Sequence, residues 1–223
     1  MAERNINRFV EAQRKSYEEA FEEIKKGKKI SHWMWYIFPQ IHGLGKSNIA
    51  KYYEIQSINE AIEYINHNYL YKNLINICEE LLKLKILNAI EIFGSIDAIK
   101  LKSCMTLFNY ILQPEFNTVL QFRNYRINEK IQENRRTNIF ERILEKYYKG
   151  ESDLKTIEIL EQEIFIYGIV QKHIDSMEDS ERKIAEKLVL KYSEIAPIAI
   201  DALGEFDGAN VKNREKRGKI PDG

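Results

Sequence analysis

Residues 30–47 read ISHWMWYIFPQIHGLGKS, and the fold class turns on how this stretch is read. It holds both tryptophans of the chain, Trp33 and Trp35, next to His32 and a Pro-Gln-x-x-Gly-x-Gly turn. Ser31 is placed to cap a short helical turn through Ile37, and a buried strand is the alternative. Pro39 limits either reading, because a proline pushes the preceding residue, here Phe38, out of helical geometry. Gly43 and Gly45 then supply a flexible turn, and Ser47 is placed to cap a helix through Tyr52 and Tyr53. Residues two apart share one side of a strand but diverge by about 200° on a helix. A helical reading therefore puts one tryptophan in the core and lets the other line a pocket.

Outward from this stretch the chain keeps a period of 3.6. Upstream, Phe9, Tyr17, Ala20, Phe21 and Ile24 leave one apolar stripe on an otherwise polar helix over Asn5–Lys26, with Gly27 as its stop. Downstream, Ser57-Ile58-Asn59-Glu60 is a capping box ahead of Ala61, Ile62 and Ile65. Leu70, Leu74, Ile77, Leu81 and Leu84 mark a longer amphipathic helix. Asn88 can cap a short helix that leaves through Gly94, and Ser95 can cap the next. On that helix Leu101, Cys104, Met105, Phe108 and Leu112 form the buried face, which makes Cys104 an inert thiol. Pro114 ends it.

Residues 115–138, rich in arginine and lysine with few strong apolar positions, read as an insertion. The apolar pattern resumes over Ile139–Tyr148 and again from Leu154. No segment shows a convincing period of two. The expected fold is all-α: a compact multi-helical single domain over 5–160, a helical extension over 161–203, and a disordered tail over 204–223 that has little to bury.

Lys plus Arg and Asp plus Glu number 34 each, so no net field recruits nucleic acid or an anionic membrane. The basic patch from Arg123 to Arg142 is interleaved with Glu129, Glu133 and Glu141, which argues against RNA. Two cysteines far apart and a polar N-terminus read as cytoplasmic and reduced, and no apolar run is long enough to span a bilayer. No metal or cofactor is expected, since neither His-Glu-x-x-His nor Cys-x-x-Cys occurs. Gly45-Lys46-Ser47 resembles the end of a phosphate loop, but Gln40 stands where that loop needs a glycine.

Several motifs together resemble the domain-of-unknown-function 1810 family of bacterial proteins, often mislabelled calpastatin. The first group is Arg8-Phe9-Val10-x-Ala12-Gln13, Ser31-His32-Trp33-Met34-Trp35-x-Ile37-Phe38-Pro39-Gln40 and Gly43-Leu44-Gly45-x-Ser47. Ala50, Tyr53, Ile55, Glu60-Ala61 and Tyr64 come next in the chain. A further group is Ile92-Phe93-Gly94-Ser95-x-Asp97 and Lys100-Leu101-x-Ser103-x-Met105-Thr106-Leu107-Phe108. A closing motif is Ile143-Leu144-x-x-Tyr147-Tyr148-x-Gly150 with Asp153 and Thr156. The resemblance covers about 5–160 and implies a compact, mostly helical protein; it brings no reaction with it. His67-Asn68 stands where the family commonly has His-Pro, and the 115–138 insertion is unusual for it.

The site expected from these residues is a pocket between the tryptophan segment and the Phe93–Phe108 segment. Trp33 and Trp35 would stack on a ring. Gln40, Gly43, Gly45, Ser47, Lys100 and Thr106 would meet an anionic group, and His32, Asp97, Lys102 and Ser103 are the candidates for any catalysis. The ligand class this suggests is a nucleotide or ADP-ribose derivative, with N-glycosidic bond hydrolysis raised by analogy alone. Whether the chain is an enzyme stays open. The competing reading is a non-catalytic protein–protein interaction module, its partner contacting 115–138 or 161–203. In that reading Asp97 and Lys100 are a plain ion pair and Ser103 and Thr106 bond back to the helix.

Overall fold

The structure, a computed structural model, describes residues 5–113 and 138–175, the last eleven by backbone alone. The chain divides into two compact units, residues 1–167 and 168–223. The first holds the hydrophobic core, which runs from Ile6 to Leu160. The insertion up to residue 137, the extension beyond Asp175 and the 204–223 tail lie outside the described residues.

Eight helices are described: α1 Asn7–Lys25, α2 Met34–Ile37, α3 Asn48–Tyr52, α4 Ile58–Asn66, α5 Asn68–Lys83, α6 Ala89–Leu112, α7 Ile139–Tyr148 and α8 Leu154–Asp175. Among the described residues the only β pairing is one isolated parallel bridge, Ile41 with Ile55. The fold is all-α, as the periodicity requires.

Local signals set the helix ends. Ser47, Ser57 and Asn88 accept from the amides of Ala50, Glu60 and Ile90, which satisfies donors that a helix start leaves orphaned. Gly27 follows α1 at φ +72°. Gly94, at φ +75°, breaks α6 into two arms and is the point where the two expected helices meet. Ser31 departs from expectation: the N-cap of α2 is Trp33, without a side-chain cap bond, and the Ser31 hydroxyl is used elsewhere.

The apolar stripes meet in one core. α1 packs on α5 and α2, α4 on α5 and α6, and α7 on both α5 and α6. Trp33, Tyr64, Phe9, Phe38, Phe108 and Phe140 are fully buried, with Phe9 edge-on to Tyr64 at 5.2 Å. Removing any such ring costs about 3–5 kcal/mol.

Buried polar groups lock the helices in register. Gln13 of α1 donates to the Tyr64 hydroxyl of α4 at 2.9 Å and accepts from Asn73 of α5 at 3.0 Å. At the start of α4 the amide of Ile58 donates to both carboxylate oxygens of Glu163 at 3.0 and 3.1 Å. Thus α8 supplies the anion that the helix dipole favours at that terminus.

Arg8 forms a second hub. Only 5 % exposed, it meets both Glu60 oxygens and donates to the carbonyls of Asn5, Tyr52 and Glu54 at 2.8–3.0 Å. Glu60 departs from the capping-box expectation: its carboxylate takes the amide of Gln56 at 2.7 Å.

Candidate functional site

The two tryptophans separate as a helical turn dictates. Trp33 is fully buried against Phe38 and Phe93, while Trp35 is half-buried at the surface. Trp33 therefore belongs to the core and offers no stacking face to a ligand.

Its indole N–H needs a buried acceptor. Glu23 of α1 supplies it at 2.8 Å. The same carboxylate accepts from the amides of Ile30 and Ser31, at 2.7 and 2.9 Å, and from the Ser31 hydroxyl. Burial acts to raise the Glu23 pKa, but these donors to the charged form outweigh it and hold the carboxyl below its usual range. Glu23 thus organises the entry into the tryptophan segment.

A chain of charges runs from there across the surface. Lys29 and Lys100 both pair with Asp97 at 2.8 Å, and Lys100 also lies 4.8 Å from the Trp35 ring centre. Burial works against the Asp97 charge, yet the two lysines bring its pKa below the usual range. Trp35 in turn lines a shallow cleft of about 10 Å³ with Gln40, Gly45, Tyr53 and Glu54. On the same loop, Gly43 takes φ +81° and its amide faces the Glu54 carboxylate at 3.4 Å. A Cβ on Gly45 would come within 2.5 Å of the Ala50 Cβ, so the loop needs a glycine there. Ser47 is exposed and its hydroxyl is the cap of α3.

The α6 candidates go elsewhere. Ser103 and Thr106 are 1 % and 0 % exposed. Ser103 shares a 2.7 Å hydrogen bond with Thr156, which donates to Asp153 at 2.6 Å, and Thr106 accepts the Asp153 amide at 2.9 Å. These hydroxyls dock the N-terminal turn of α8 onto α6. They bond across helices, where the expectation was a bond back to their own. Lys102 pairs with the exposed Glu151 at 3.3 Å and lies near the Tyr148 ring. His32 is exposed. The structure therefore joins Lys100, Trp35, Gln40 and Gly45 along one surface and leaves Trp33, Ser103 and Thr106 in the interior.

The sequence profile of a family described as "Protein of unknown function (DUF1810)" matches residues 3–133, more than half of the chain. The chain belongs to this family. That match runs through most of the 115–138 segment and stops short of residue 160. Among solved structures, the chain is similar to the crystal structure of the conserved hypothetical protein Rv1873 from Mycobacterium tuberculosis. The two are 34 % identical over 69 % of this chain and 94 % of that one, with a TM-score of 0.55. No curated protein matches.

Within this DUF1810 chain, sequence reasoning passed over Glu23, Glu54 and Glu163. Only Glu23 had a local signal, and a weak one: a buried indole had to find an acceptor, and α1 offers several glutamates. Among the described residues no group of three or more His, Cys, Asp or Glu is arranged to hold a metal ion, and no helix is long and apolar enough to cross a membrane. Lys102 gives a first prediction. Lys102→Met removes one partly exposed ion pair and keeps the apolar stem, so urea unfolding should show a change within about 0.5 kcal/mol. A loss above about 1.5 kcal/mol would mean that the pair anchors α6.

Proposed function

We propose that the chain is a cytoplasmic bacterial protein that binds a small ring-containing anion of the nucleotide or ADP-ribose class on the Trp35 cleft. One observation carries this reading: three residues singled out from sequence, Trp35, Gln40 and Gly45, line a common cleft, and a fourth, Lys100, lies on the Trp35 ring. The lining suits the chemistry. Stacking on an aromatic ring contributes about 1–3 kcal/mol per base. Glu54 offers a carboxylate for sugar hydroxyls, as acidic residues do in dinucleotide sites, and Lys100 offers a cation. A space of about 10 Å³ holds one water, so the ring rests at the mouth against Trp35 and Tyr53. The proposal stops at binding. Asp97 is occupied by two lysines, Lys102 pairs with Glu151 and Ser103 is buried in the α6–α8 contact, so none of these three is placed to act on a molecule in the cleft.

The test is a calorimetric titration of ADP-ribose and AMP into wild type and Trp35→Ala. Wild type should bind and the variant should bind at least tenfold more weakly, with little loss of stability because Trp35 is half-buried. If neither compound binds wild type, or the variant binds equally, the second reading takes over. That reading, a non-catalytic interaction module, is favoured by Ile96 and Ile99, one turn apart on α6 and 71 % and 62 % exposed. Ile30, 75 % exposed, adjoins Lys29, the lysine that reaches Asp97 on the same turn of α6. Grouped surface isoleucines mark contact surfaces more often than single ones do.

A further inference from the structure

A second recess, far roomier than the Trp35 cleft, opens between α5, the end of α6 and the start of α7. Its volume is about 120 Å³. An engineered apolar cavity of about 150 Å³ takes benzene, which sets the scale of body that fits here: a branched four-carbon chain or a single small ring.

The lining divides by chemistry. Ile75, Leu112, Ile139 and Phe140 make an apolar floor, and the last three are at most 7 % exposed. The rim carries one charge of each sign. Glu79 comes from α5, on the ridge it shares with Tyr71 and Ile75 at helical spacing, and Arg142 comes from the first turn of α7; both are exposed. Opposite charges above an apolar floor match a molecule with a short apolar body and both an ammonium and a carboxylate. We infer that this recess binds a small zwitterion with an aliphatic or aromatic body, of the kind represented by a free hydrophobic amino acid. Glu79 meets its ammonium, Arg142 meets its carboxylate in the planar fork geometry that guanidinium offers, and the body rests on Ile75, Leu112 and Phe140.

This inference is independent of the Trp35 cleft, because the two sites share no residue. Two features distinguish the ligand from its neighbours in chemical space. A simple apolar solute lacks the partners for the rim, and alanine lacks the body for the floor.

The experiment uses the full chain, labelled with ¹⁵N, and titrates L-leucine and L-phenylalanine while following amide shifts. N-acetyl-leucinamide, which has the body and neither charge, and L-alanine are the controls. Shifts should concentrate at Ile75, Leu112 and Phe140. Glu79→Gln and Arg142→Met, both at exposed positions that leave the core intact, should each weaken leucine binding about fivefold, the upper range for partly exposed charge pairs. Ile75→Phe, which narrows the floor with added volume, should weaken both amino acids while the spectrum stays folded. Absence of localised shifts with both amino acids at 20-fold excess overturns the inference, as do unchanged affinities in the two charge variants. Equal binding of N-acetyl-leucinamide also overturns it, since the recess would then be an apolar slot for a side chain.

Discussion

Arg8→Met should lower the unfolding free energy by about 3–5 kcal/mol, the range for removing one partner of a buried ion pair. The side chains of Arg8 and Glu60 are 3 % and 10 % exposed, and the guanidinium spans α1, the loop after α3, and α4. Methionine replaces the stem but none of the donors. The Glu60 carboxylate is then left with the amide of Gln56, and the carbonyls of Tyr52 and Glu54 lose their guanidinium donor. Arg8→Lys should recover only part of the loss, because one ammonium cannot reproduce a bidentate fork and three carbonyl bonds at once. Urea unfolding of Arg8→Met, Glu60→Gln and the double variant checks the account. The double variant should be less destabilised than the sum of the singles, since the second substitution removes the charge that the first strands. Strict additivity, or a loss below about 1 kcal/mol for Arg8→Met, would show that the hub contributes little beyond surface pairing.

Sequence separation divides what could be read from what could not. The helices and their ends were legible because each signal is local: Ser47 and Ser57 meet amides three residues on, Asn88 one two residues on, and Gly94 alone changes the backbone direction. That Trp33 and Trp35 diverge on a helix followed by the same logic, but not which of them enters the core, and the expectation that both stack on a ligand ring fails at Trp33. The site was harder. Arg8 and Glu60 are 52 residues apart, Ser103 and Thr156 are 53 apart, and Ile58 and Glu163 are 105 apart. Each of these side chains has an ordinary local reading as a solvated charge or a self-satisfied hydroxyl. Their pairing is decided by helix packing, which periodicity constrains only to a face. Ser103 and Thr106 show the consequence: the sequence marks them as unusual polar groups inside a core helix, and the reason lies on α8 rather than in a ligand.

Glu23 carries the other large expected effect and a pH signature of definite sign. Glu23→Ala leaves the Trp33 indole N–H and two backbone amides without their acceptor, and each buried donor left unsatisfied costs about 1–3 kcal/mol. A loss of about 3 kcal/mol or more is expected, comparable to deleting the Trp33 ring itself. Glu23→Gln keeps one acceptor oxygen but turns an NH₂ group toward a cluster of donors, so it should recover little. The carboxyl of Glu23 is held below its usual pKa in the folded chain, and a group depressed by folding stabilises the fold above its unfolded pKa. That contribution is lost as pH falls through the lower, folded value. Wild type should therefore lose stability between about pH 5 and the folded pKa, with Asp97, depressed in the same direction, adding to the slope. Glu23→Gln lacks one of these two groups, so its unfolding free energy should fall less steeply over the same interval. Thermal unfolding of both proteins from pH 7 to pH 3 measures the difference; parallel curves would mean that the Trp33 anchor does not depend on the Glu23 charge.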